Sequence, residues 1–142
     1  MTQTWTIHEV AAACGLAEHE IHKWISRGLY RPSEATRRGQ GRRYDWCDLA
    51  CLAVLGELRS FGLPLAFIRV GIDALRDDLA RVEAFDVTRG VYCWGVDGIV
   101  DRVGYDGPVD LVRRGSRSLI IVDVAAVYRE VRAAIAGSRK AG

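Results

Sequence analysis

The side chains able to do covalent or metal chemistry are few in this sequence and poorly grouped for it. His8, His19 and His22 all fall in the N-terminal part of the chain. No nucleophile motif, phosphate loop or catalytic dyad accompanies them. Cys47 and Cys51 stand one helical turn apart, a spacing that can seat a metal. Yet Cys14, Cys47, Cys51 and Cys93 form no Cys-x-x-Cys pair and no Cys/His ligand box. Cys47 and Cys51 also fall on an apolar stripe, where a free cysteine behaves as a small buried hydrophobe. Asp97, Asp101, Asp106 and Asp110 recur among turn residues without the spacing of an EF-hand, so turn and cap chemistry accounts for them. No catalytic site, metal site or cofactor is expected, and the chain does not read as an enzyme.

Positive charge is what the sequence does concentrate. Residues 20–44 hold Lys23, Arg27, Arg31, Arg37, Arg38, Arg42 and Arg43 against Glu20 and Glu34, a local excess of five on a chain of net charge +2. Cations gathered in one stretch are the footprint of a polyanion partner. The two halves of the stretch differ in shape. Residues 20–27 read as a helix that ends at Gly28, whereas 36–44 read as a glycine-punctuated, arginine-loaded hairpin. A solvated charged loop is the bland reading of 36–44. Beside a helix that can enter a major groove, a wing gripping phosphates or the minor groove is the sharper one.

The elements that must position these cations are set by local patterns. Thr6-Ile7-His8-Glu9 is a capping box. Ile7, Val10, Ala11 and Cys14 then form one apolar face, and Gly15 supplies the left-handed turn. A second helix is expected over about 17–27, with Ile21, Trp24 and Ile25 inward and His19, His22, Lys23, Ser26 and Arg27 outward. Its N-cap is Ala17, which forgoes about 1 kcal/mol of capping. Two short helices joined at a glycine make a helix-turn-helix, whose second helix usually lies in the groove. Asp45 caps a third helix, with Asp48 near its positive end and Cys47, Cys51, Val54 and Leu58 on one face, Leu55 beside them. Gly62 and Pro64 separate it from a fourth, about 64–82. Its Ile68, Ile72, Leu75, Leu79 and Val82 make a heptad-like seam, packed internally or against a second subunit.

Composition changes near residues 83–90, an expected hinge. Beyond it the period shifts towards two. Residues 90–96 and 99–103 flank Asp97-Gly98, a two-residue hairpin signal. Residues 109–113 and 119–122 read as further strands. Asp123 caps a last helix carrying Val124, Val127, Tyr128, Val131 and Ile135, with Gly137 expected to stop it and a frayed polar tail after it. The fold class is α+β. A four-helix winged helix-turn-helix unit (1–82) precedes a small antiparallel sheet with a C-terminal helix (83–142). No run of eighteen apolar residues and no signal-peptide pattern occurs, so a cytoplasmic location with reduced cysteines is expected.

The ordered set Ile7-x-Glu9-Val10-Ala11, Gly15-Leu16, Trp24-x-x-x-Gly28-Leu29-x-x-Pro32, Arg42-Arg43-Tyr44, Leu49 and Gly62-Leu63 with Ile68 resembles the MerR-type winged helix-turn-helix regulators over about residues 4–82. The resemblance implies that His22, Lys23 and Arg27 face DNA from the second helix. Arg37, Arg38, Arg42 and Arg43 would face it from the wing, while Tyr44 packs the wing's base. Many members carry an arginine followed by an aromatic where this chain has His22-Lys23, so base preference does not carry over. Members also continue into a long dimerisation helix, where this chain turns β-rich. Metal-sensing members place cysteines after that helix, where this chain has only Cys93, so metal sensing is not implied.

The leading expectation is a sequence-specific regulator that binds double-stranded DNA as a homodimer and acts as a repressor. Two others stand beside it. One is an antitoxin-like autorepressor or adaptor whose C-terminal half binds a protein partner. The other is a sensor in which Tyr92, Trp94 and Tyr105 line a pocket for a small-molecule effector. Against the sensor stands the reading that these rings fill the small core.

Overall fold

A computed structural model describes residues 3–33, 41–81, 91–95, 100–103 and 119–141. Among them are five helices: α1 (Ile7–Cys14), α2 (Glu18–Ser26), α3 (Trp46–Ser60), α4 (Leu65–Leu79) and α5 (Val124–Ala141). Three strands, β1 (Val91–Gly95), β2 (Val100–Val103) and β3 (Leu119–Val122), form one antiparallel sheet in the order β2-β1-β3. The class is α+β, as the sequence implies.

The start of the chain obeys its local signals. Thr6 accepts from the Glu9 amide at 3.3 Å and donates its own amide to Glu9 Oε1 at 3.0 Å, closing the capping box. Gly15 (φ +67°) turns the chain, and Ala17 begins α2 with no side-chain cap. Val10, Ala11 and Cys14 from α1 and Ile21 and Trp24 from α2 are buried.

The third helix departs from expectation. It is not one-sided: eleven of its fifteen residues are buried, including Leu49, Leu52 and Ala53 as well as the expected stripe. A helix apolar all round belongs inside a core. Here α1, α4 and α5 each lie against α3, and α5 covers the side that local sequence leaves to solvent. Close approach is built in at Gly56, where an added Cβ would stand 2.3 Å from the Cys14 carbonyl oxygen. The seam of α4 (Ile68, Ile72, Leu75, Leu79) is buried within the chain.

Beside this seam, Trp94 of β1 rests its indole against Gly71 of α4; a Cβ there would lie 1.7 Å from Nε1. Tyr92 donates its hydroxyl to Asp78 of α4, and both Tyr92 and Trp94 are buried in the shared core. Tyr105 lies outside the described residues. The β1–β2 pairing sets Trp94 opposite Val100 and Val91 opposite Val103. A two-residue turn at Asp97-Gly98 would have set Trp94 opposite Asp101, so the register is one residue out of step, that of an odd-length connection. The turn itself, the expected strand over 109–113 and the expected hinge lie outside the described residues.

A second correction concerns the last helix. Gly137 does not stop α5, which runs on to Ala141. A mid-helix glycine costs about 1 kcal/mol relative to alanine. Beyond it Arg139 grips Glu9 of α1, donating Nη2 to Oε1 at 2.8 Å and Nε to Oε2. Val124, Tyr128, Val131 and Ile135 bury the other face, at spacings of four, three and four. The four cysteines are buried, and none is in a disulfide.

Candidate nucleic-acid interface

The outward face of α2 is set by what its inward face is tied to. Ile21 and Trp24 are 0% and 4% exposed, so the helical period turns His19, His22, Lys23 and Ser26 to solvent, with Arg27 exposed at the C-cap. His8 Nδ1 and Glu18 Oε2 share a hydrogen bond of 2.6 Å that links α1 to the start of α2. At the other end Gly28 takes φ +72°, a conformation L side chains rarely adopt, and sends Leu29 and Tyr30 back inward. The Trp24 carbonyl accepts from the Leu29 amide at 2.7 Å, closing that turn.

The segment after α2 is anchored by a polar cluster that local sequence does not announce. Tyr30 is 1% exposed and donates its hydroxyl to Asp48 Oδ1 at 2.5 Å. Asp48 is the buried charged residue among those described, and it also accepts from the amides of Ser33 (3.1 Å) and Asp45 (3.2 Å). Burial pushes its carboxyl up to about 6, against the lowering effect of the Tyr30 hydroxyl. Arg76 of α4 donates to Ser33 Oγ at 3.0 Å, to the Arg31 carbonyl, and to Cys47 Sγ at 3.5 Å. The capping-box pattern Asp45-x-x-Asp48 is visible in sequence. Its use as a buried acceptor for residues 30 and 33 is not, because those partners are distant along the chain.

Arg31 is one of the seven cations, and its charge is spent within the chain. It lies 3.1 Å from Asp77 and 3.7 Å from Asp73 of α4. These pairs are exposed, and such pairs contribute little to stability, but they take Arg31 out of the free basic surface.

The returning arm of the expected wing is fixed at its base. Tyr44 is 0% exposed and Trp5 1%. Their backbones exchange two hydrogen bonds, Trp5 N to Tyr44 O at 2.8 Å and Tyr44 N to Trp5 O at 2.9 Å. Just before this bridge Arg42 is half-buried, and its charge works against the burial that raises the Tyr44 hydroxyl. Arg43 is exposed and donates to Thr4, at 3.0 Å to the hydroxyl and 3.1 Å to the carbonyl. Arg37 and Arg38 lie outside the described residues. Chemically, the described part of the site offers point charges and arginine forks to an anion. Among the described residues no three His, Cys, Asp or Glu group as metal ligands, and no helix is long and apolar enough to cross a membrane.

Residues 5–75 match the family model described as MerR HTH family regulatory protein. Over 129 residues the chain is 27% identical to an uncharacterized HTH-type transcriptional regulator of Mycobacterium bovis and to two of the same description from Mycobacterium tuberculosis strains. The match covers 86% of this chain and 53% of each relative, so the chain spans about half the length of the curated relatives it matches.

Proposed function

Because this chain belongs to the MerR HTH family of regulatory proteins, we propose that it is a cytoplasmic, non-enzymatic transcriptional regulator that binds double-stranded DNA sequence-specifically as a homodimeric repressor. The observation that carries this reading is the exposed face of α2, with His22, Lys23 and Arg27 held outward by the buried Ile21 and Trp24. In this reading α2 enters the major groove, and Arg37, Arg38, Arg42 and Arg43 of the wing hold the backbone beside it. Residues 1–82 do the DNA-binding, and 83–142 serve dimerisation or receive an effector or protein partner. Two copies on a symmetric site are the usual route to useful affinity for a module of this size.

The test is an electrophoretic shift and footprint on DNA from upstream of the protein's own gene, beside a mass measurement in solution. A protected inverted repeat and a doubled mass are expected. With about six phosphates neutralised per subunit, affinity should fall steeply with salt, by roughly five log units per log unit of salt for each subunit. A shift that stays unchanged from low to high salt refutes the reading. Lys23→Ala should change which sequence is preferred, while Arg38→Ala with Arg42→Ala should weaken all sequences alike.

A further inference from the structure

We propose that α5 supplies a further DNA-backbone contact, in which Arg132 joins Arg43 to hold a phosphodiester beside the wing. This rests on the DNA-binding reading and adds to it a residue from outside the matched segment. Two guanidinium groups converge on adjacent residues at the start of the chain. Arg43 holds Thr4 by its hydroxyl and its carbonyl, and Arg132 Nη2 donates to Gln3 Oε1 at 3.4 Å. Both arginines are exposed, and among the described residues neither stands in a salt bridge. The oxygens they hold, on Gln3 and Thr4, are uncharged.

Neither guanidinium has a carboxylate within salt-bridge distance among the described residues, so both keep their charge for an anion seated at residues 3 and 4. Each guanidinium carries five donors and has used only some of them, which leaves a fork for the non-bridging oxygens of a phosphate. The base of that fork is firmly seated. Tyr128, one turn before Arg132, packs edge-on against Trp46 of α3 with ring centroids 6.5 Å apart. One face of α5 is buried against α1 and α3. Arg139, two turns further along, is spent on Glu9 and is not part of the contact.

Since a phosphate contact is blind to sequence, a labelled random-sequence duplex is a sufficient probe. Its affinity for the full chain would be tracked by fluorescence anisotropy between 50 and 200 mM salt, for the unaltered protein, Arg132→Gln, Arg132→Lys and Gln3→Ala. Arg132→Gln should make the log–log salt slope shallower by about 0.9, so that it loses about 3.5-fold less affinity over that range than the unaltered chain. Arg132→Lys should restore the slope. Gln3→Ala, which removes the acceptor but no charge, should keep it. An unaltered slope in an Arg132→Gln protein that melts like the parent overturns the inference and leaves the DNA-binding reading standing. So does a slope that Gln3→Ala reduces as much, since Arg132 would then act through the fold. If the unaltered chain shows no salt-dependent duplex binding at all, the DNA-binding reading fails and this inference with it.

Discussion

Replacing Asp48 with asparagine isolates the buried acceptor behind the exit of α2. The Asp48 carboxyl is raised in the folded chain from 3.8 to about 6 by burial. A carboxyl whose folded value lies above its unfolded value binds its proton more tightly when folded. Its contribution to stability is therefore largest below pH 3.8 and declines as pH rises through about 6. Linkage with these two values puts the penalty for holding it at about 2 kcal/mol at pH 5 and about 3 kcal/mol at pH 7.5. Asparagine does not titrate and keeps one carbonyl to accept from Tyr30 and Ser33, although its amide is a poor match for the remaining donor at Asp45. The absolute stability of Asp48→Asn can therefore move either way. Its difference from the parent, however, should shift in its favour by about 1 kcal/mol between pH 5 and pH 7.5. Urea unfolding of both proteins at the two pH values measures this. Parallel stability curves would refute the assignment of a raised, buried carboxyl to Asp48.

Two further outcomes concern packing and the α1–α5 contact. Gly71→Ala gains about 1 kcal/mol of helix propensity, but its Cβ would fall 1.7 Å from Trp94 Nε1. Overpacking of about 1–3 kcal/mol should win, and a thermal melt above that of the parent would refute the packing of β1 on α4. Arg139's hydrogen bonds hold the Glu9 carboxyl down to about 2 from 4.5. A depressed carboxyl stabilises above its unfolded value and loses that contribution as pH falls through the folded one. Glu9→Gln should therefore cost up to about 1 kcal/mol at neutral pH, as an exposed pair does, and nothing near pH 2; equal losses at both would refute the pairing.

How much of this was legible depended on how far apart the partners lie. The capping box of Thr6 and Glu9, the turn at Gly15 and the outward face of α2 are readable because every determinant falls within a few turns. The periodicity that buries Ile21 and Trp24 also exposes His22 and Lys23. The all-round burial of α3 was not readable, since the helix that covers its far side begins at Val124. Gly137 misled for the same reason. Glycine is a stop signal only where nothing else holds the turn, and Glu9 holds it from the opposite end of the chain. In the site, Arg31 reads as a free cation from sequence because Asp73 and Asp77, which neutralise it, lie on α4. Asp48 reads as a cap residue because nothing nearby in the chain shows that Tyr30 closes over it.

The enclosure of α3 limits how the molecule can be dissected. A fragment cut after residue 81 would keep every group of the α2 face, yet it would uncover the wall of α3 against which Tyr128 and its neighbours rest. Such a fragment would present fresh oily surface to water and stick to itself or to its vessel. A failed binding assay on it would then report a missing lid and say nothing about the groove-reading residues. Point substitutions in the intact chain are the cleaner instrument.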